Sequence, residues 1–261
     1  MAVADVLLTI ERLTKRFGGV LATDDLSLEV AAGELLAIIG PNGAGKTTLI
    51  GQLAGEIRSD GGRVLFDGQD ITGLPVHERS ALGLARSFQI TSLFLDFTAL
   101  DNVALAVQAH AGHSFRFWRP AGEEAALREP ALAALKRVGL EARADVEVAS
   151  LSHGERRQLE LAMALATRPR LLLLDEPMAG LGPEESARMV TMLHELKKDY
   201  TIVLIEHDME AVFALADRIA VLVYGRVIAA GSPEDIRADP AVREAYLGEQ
   251  EVATETGGSH G

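Results

Sequence analysis

Eight consecutive residues, Gly40-Pro41-Asn42-Gly43-Ala44-Gly45-Lys46-Thr47, fill every fixed position of the pattern G-x-x-x-x-G-K-[ST]. Their types suit one chemistry, the cradling of a phosphate chain. Glycines let a loop wrap closely, so that successive backbone N–H groups point at one anion. A helix opening at the end of the loop adds its unpaired N–H groups and the positive end of its dipole. Lys46 has the reach for β- and γ-phosphates, and the Thr47 hydroxyl is a hard oxygen ligand suited to Mg²⁺. The expected ligand is a nucleoside triphosphate.

The elements needed to position this loop are legible on both sides. Leu35-Leu36-Ala37-Ile38-Ile39 is an unbroken apolar run, expected as a buried parallel strand. Thr48 to Leu53 reads as the start of a helix. A second buried strand, Leu171-Leu172-Leu173-Leu174, ends in Asp175 and Glu176. Acidic residues often end strands in solvated turns. On a parallel strand neighbouring the phosphate loop, however, Asp175 suits the Mg²⁺ shell, and Glu176 can polarise a water for in-line attack on the γ-phosphate. Ligands of such sheets bind outside the carboxyl ends of the strands.

A third candidate is Leu151-Ser152-His153-Gly154-Glu155, which opens an apolar-faced helix. Ser152 with Glu155 is a capping box, S-x-x-E, and local chemistry needs nothing more. A capped helix N-terminus after a Gly-containing turn also makes an anion site, and the two readings are compatible.

The bulk properties exclude several classes. At 261 residues with 48% hydrophobic content, the chain has material for one large or two joined domains. No window holds eighteen uninterrupted apolar residues, so no bilayer span is expected. Met1 to Ile10 lacks the basic segment and cleavage site of a secretory signal. Zero cysteines rule out disulfides and thiolate metal sites, and fit a reducing cytoplasm. A net charge of −13 argues against nucleic acid as a partner.

Alternation of apolar and polar residues predicts strands at Val6 to Leu13 and Leu26 to Val30, and a further one at Arg63 to Phe66. Leu100 to His110 and Glu123 to Val138 carry helical spacing. Between them lies Gly112 to Pro120, with the only tryptophan, Trp118, and basic residues interleaved with aromatics. From Leu151 onward helices (154–167, 184–198, 209–216) alternate with apolar strands (171–174, 201–205, 219–223), which predicts a parallel sheet covered on both faces. The tail from Glu249 is polar and expected to be disordered. His110 and His113 show no third ligand and read as loop residues, as do His77 and His194.

Taken together, the order Gly40–Thr47, Gln89, Leu151–Glu155, Asp175–Glu176, His207 resembles that of an ATP-binding cassette (ABC) protein over nearly the whole chain. The resemblance implies an α/β fold: a P-loop, RecA-like core with a parallel sheet, an antiparallel β-subdomain and an inserted helical subdomain. The corresponding boundaries are 1–90 and 151–248 for the core, 91–150 for the helical subdomain and 249–261 for the tail. It implies ATP and Mg²⁺ as cofactors and ATP hydrolysis as the activity. Phe17 resembles the aromatic that stacks on adenine, against the alternative of a core phenylalanine. Gln89 resembles the glutamine that contacts Mg²⁺ and water and links the site to the helical subdomain. His207 resembles the switch histidine on the γ-phosphate. Phosphate contacts extend from Gly40 through Thr47 to Thr48. In this family two cassettes pair head to tail, and the turn Ser152, His153, Gly154, Glu155 of one closes on ATP held by the other. His153 and Glu155 replace the more usual Gly and Gln, and Gly182 replaces the usual aspartate of the loop 179–184.

The variant Leu151–Glu155, the segment Ala179–Glu184, the insertion 112–120 and the ending Ala245-Tyr246-Leu247-Gly248 resemble the ATP-binding subunit of branched-chain amino acid importers. Cassettes for urea import or lipopolysaccharide export share much of this pattern. The implied partners are transmembrane permease subunits, a second cassette and, indirectly, an extracytoplasmic solute-binding protein. The implied place is the cytoplasmic face of the membrane. Phe115 to Trp118, Leu93 and Phe94 are candidate permease contacts, with packing on the helical subdomain as the alternative for 115–118. A soluble ATP-driven clamp also uses this cassette, but such proteins generally carry two cassettes or long basic or coiled-coil inserts.

Overall fold

The computed structural model describes residues 5–87, 93–110 and 125–244. Gln89, the insertion 112–120, His113 and the tail lie outside these residues. The chain divides into two compact units, one of residues 1–75 with 201–261 and one of 76–200.

The first unit holds two sheets. Strands β1 (Val6–Phe17) and β2 (Val20–Ala31) form a long antiparallel hairpin, followed in the sheet by β4 (Gly61–Phe66) and β5 (Gln69–Asp70), in the order β2-β1-β4-β5. Both hairpin strands run past their apolar segments. Pairing of Lys15 with Thr23, Arg16 with Leu21 and Phe17 with Val20 satisfies the backbone of a stretch too polar to register as a strand by alternation. The second sheet runs β10 (Arg226–Gly231), β9 (Arg218–Val223), β3 (Leu35–Ile39), β8 (Thr201–Ile205). β3 is parallel to both β8 and β9, and every residue of β3 and β8 is buried. This is the outcome expected for continuous apolar runs covered on both faces. Helix α1 (Lys46–Ala54) follows β3, α7 (Met209–Leu215) follows β8, and α8 (Pro233–Ala238) follows β10. Ala37, Ile39, Val212, Ile219, Val221 and Ile236 form one apolar cluster.

The second unit is mostly helical. It contains α2 (Val76–Ala81), α3 (Ala99–His110), α4 (Ala125–Arg137), α5 (His153–Ala166) and α6 (Pro183–Leu196). A short strand, β6 (Leu84–Arg86), pairs in parallel with β7 (Leu171–Asp175). α2 and β6 are too short to show a period. Among the described residues no helix is long and apolar enough to cross a membrane.

Candidate functional site

The phosphate loop is shaped by close backbone approaches. A Cβ on Gly40 would lie 2.0 Å from the Leu222 carbonyl oxygen of β9, and one on Gly45 would lie 2.0 Å from the Ala22 carbonyl oxygen of β2. Both residues also have left-handed φ values, 154° and 103°. No other residue type fits either place. The β9–β10 turn braces the loop: Gly225 N–H donates to the Ala44 carbonyl at 2.9 Å, and Asp24 N–H donates to the Gly225 carbonyl at 2.9 Å.

Helix α1 opens at Gly45 with no side-chain cap. A helix start with no side-chain cap is a place where an anion can bind. Lys46 is buried, and its ammonium donates to the carbonyls of Gly40 at 2.6 Å and Pro41 at 2.9 Å. These contacts hold the cation over the loop, where phosphate oxygens are stronger acceptors than the carbonyls. Thr47 is exposed, and Thr48 is half-buried behind it. An uncapped helix, a tethered lysine and an exposed hydroxyl form a donor set that fits a magnesium–polyphosphate ligand.

Phe17 stands at the end of β1 with 49% of its surface exposed, so it is no core residue. Lys15 Nζ lies 5.3 Å from its ring centroid and pairs with Asp60 at 2.9 Å. His207 leaves the end of β8 with an exposed side chain. Its N–H donates to the carboxylate of Glu206, which is 1% exposed, at 3.1 Å. Asp208 then caps α7 by accepting from the N–H groups of Glu210 and Ala211. Strand and cap together hold the histidine at the carboxyl end of the sheet.

In the second unit β7 delivers Asp175 and Glu176. The Asp175 carboxylate is buried and accepts a hydrogen bond from Arg86 Nη2 at 2.9 Å. Glu176, half-buried, has a left-handed φ of 49°. Such a conformation costs a non-glycine residue about 1–2 kcal/mol and turns the side chain out of the strand's alternation. At the N-terminus of α5 the capping box is complete: Ser152 Oγ accepts from Glu155 N–H at 3.2 Å, and Glu155 Oε2 accepts from Ser152 N–H at 2.8 Å. Ser152 and His153 are exposed, whereas Gly154 is buried. A Cβ on Gly154 would stand 2.5 Å from Glu185 Oε1 of α6, and one on Gly180 would stand 3.3 Å from His153 Nε2. The turn 152–155 and the loop 179–182 therefore pack against each other.

Four residues beside these groups carry no sequence signal strong enough to single them out: Arg86, Arg143, Glu185 and the Lys15–Asp60 pair's acid. Each is identified by a partner distant in sequence. Arg86 sits three residues before Gln89, which is the one cue the sequence offers.

The family model "ABC transporter" matches residues 23–179, and the model "Branched-chain amino acid ATP-binding cassette transporter" matches residues 226–252. The chain is 40% identical over 250 residues to the high-affinity branched-chain amino acid transport ATP-binding protein BraF of Pseudomonas aeruginosa, covering 93% of this chain and 98% of BraF. The ADP conformation of MJ1267, an ATP-binding cassette of an ABC transporter, superposes with a TM-score of 0.82 at 32% identity, covering 93% of this chain and 99% of that one. A dimeric structure of MJ0796, a bacterial ABC transporter cassette, gives 0.74 at 26% identity, over 87% and 99% of the two chains. The expected α/β, P-loop class is the fold these neighbours share. With its loop, strands and helices in the order of those cassettes, this chain belongs to the ATP-binding cassette family, the ATP-hydrolysing components of ABC transporters.

Proposed function

We propose that this protein drives an importer of branched-chain or other hydrophobic amino acids by hydrolysing ATP at the cytoplasmic face of a membrane. The observation that carries the reading is the likeness to BraF along nearly the full length of both chains, joined to the match at residues 226–252.

In this reading Lys46, the loop Gly40–Thr47 and the first turn of α1, including Thr48, bind the phosphates. Thr47 and Asp175, with Gln89, would supply the hard oxygen ligands that Mg²⁺ prefers, and the ion would neutralise charge on the phosphate chain. Glu176 orients and deprotonates the attacking water. His207 holds the γ-phosphate, and Phe17 stacks on the adenine. The uncapped α1 and the exposure of Phe17, Thr47 and His207 support these roles.

The turn Ser152–Glu155 closes on ATP held by a second cassette. A triphosphate adds fixed charge between two helix termini, and its hydrolysis removes that bridge, so the pair opens. The dimeric neighbour supports pairing. The exposed pair Phe94 and Phe97, with ring centroids 5.3 Å apart and Leu95 exposed beside them, supports a permease contact just after Gln89. Aromatic side chains of this kind are enriched in interfaces.

Reconstitution with the permease and candidate solute-binding proteins tests the reading. Leucine, isoleucine or valine with their binding protein are expected to stimulate ATP turnover. Stimulation by urea alone overturns the solute assignment. Co-purification with ribosomes or DNA and no response to any permease overturns transport.

A further inference from the structure

Glu155 places a carboxylate within the turn that, in the function proposed above, meets the terminal phosphates of a partner's ATP. One of its oxygens is committed to the capping box with Ser152 N–H. Its negative charge is favourable for α5 itself, because it faces the positive end of the helix dipole. It is unfavourable for an incoming polyanion, which needs the same end of the same helix. The usual glutamine at this position would cap equally well without charge.

The fold supplies a counter-charge from outside the motif. Arg143 ends a 3-10 turn, Glu141–Arg143, and its Nε lies 2.9 Å from Glu155 Oε1, the oxygen pointing away from the cap. The contact is a close ion pair rather than an aligned hydrogen bond. The neighbouring cations are turned elsewhere. Arg156 donates to the carbonyls of Val148 and Ala149, and Arg157 pairs with Glu160 at 3.3 Å. Arg188 lies 3.9 Å from Glu184. Arg143 and Glu155 also share the wall of a cavity of about 440 Å³ with Gly139, Ser152, Glu185 and Arg188, so the pair is reached by water on one side. Solvent keeps its energy small, yet it cancels the one formal charge that the motif itself introduces.

We infer that Arg143 is a positioning residue for nucleotide-driven pairing: by pairing with Glu155 it neutralises a carboxylate that otherwise opposes the γ-phosphate at the N-terminus of α5. This rests on the reading of Ser152–Glu155 as a partner-ATP contact.

The test uses the full chain carrying Glu176→Gln, with ATP-dependent dimerisation measured against ATP concentration at low salt. Arg143→Ala is expected to raise the ATP concentration for half-maximal dimerisation about three-fold, the scale of an exposed ion pair. Arg143→Lys is expected to raise it less. Adding Glu155→Gln to Arg143→Ala is expected to restore the parental value, because the cap survives and the charge is gone. A purely packing role for Arg143 predicts no such rescue, so an unrescued loss overturns the inference, as does an unchanged midpoint in Arg143→Ala. If the Glu176→Gln parent itself forms no ATP-dependent dimer, the reading of the turn fails and the inference falls with it.

Discussion

Arg86 Nη2 lies 2.9 Å from Asp175 Oδ2, and the two side chains are 7% and 2% exposed. The carboxylate proposed above as a magnesium ligand is thus already paired with a guanidinium in the protein alone. The pair joins the ends of β6 and β7, three residues before Gln89 and one before Glu176.

Removing the cation takes its guanidinium partner from a buried carboxylate. Arg86→Ala is expected to lower unfolding stability by about 3 kcal/mol, measured by denaturant titration. Arg86→Lys should lose less, since the charge is kept while the planar fork is lost. A change under about 0.5 kcal/mol for Arg86→Ala, the level of an ordinary surface substitution, would show that the pair contributes nothing net.

Lys46→Ala is expected to abolish nucleotide binding or turnover without unfolding the chain, because the loop is braced by Gly225 and Asp24 rather than by the lysine alone. Gly45→Ala should instead destabilise, since its methyl carbon meets the Ala22 carbonyl at 2.0 Å in a left-handed conformation. Calorimetry with ATP beside a thermal melt separates the two. Unchanged turnover in Lys46→Ala would remove the phosphate-loop assignment.

For Glu176→Gln, binding should persist while turnover falls about 10²- to 10⁴-fold, the usual contribution of a general base. Glu176→Gly should lose turnover equally but unfold at the same or higher denaturant, because glycine relieves the left-handed strain at φ 49°. His207→Ala should slow turnover more than it weakens nucleotide binding. A Glu176→Gln variant that turns over at the parental rate is not missing its base.

The ion pair beside Phe17, the residue proposed to stack on adenine, has a pH signature. The Arg16 backbone N–H and, next, the Lys15 side chain hold the Asp60 carboxyl below its ordinary value of 3.8. A lowered pKa stabilises the fold above the unfolded value, so this contribution is fully present above pH 3.8 and is lost as pH falls through the lower folded value. Asp60→Asn should make acid unfolding less steep below pH 3.8. An identical acid limb in the variant and parent would show that Asp60 contributes nothing to acid stability.

Short-range chemistry was readable before any fold was known. The run Leu35–Ile39, the glycine-lysine loop and the start of α1 declare themselves because each rests on neighbours within a few residues. The same holds for the S-x-x-E cap, which the structure contains in full. The strands 171–174, 201–205 and 219–223 were legible because continuous apolar runs bury on both faces, and they appear within one residue of those limits. The polar ends of β1 and β2 were not, since cross-strand pairing rather than composition makes them strands.

What only the tertiary structure decided is which distant groups meet. Leu222 makes Gly40 obligatory from 182 residues away, and the Glu185 carboxylate stands where a Cβ on Gly154 would lie. Arg86 reaches Asp175 because a three-residue strand, too short to show any period, pairs with β7. Arg143 reaches Glu155 through a single 3-10 turn. A local pattern specifies a hydrogen bond three or four residues away; an ion pair or a van der Waals limit between separate segments exists only once the chain has closed around it.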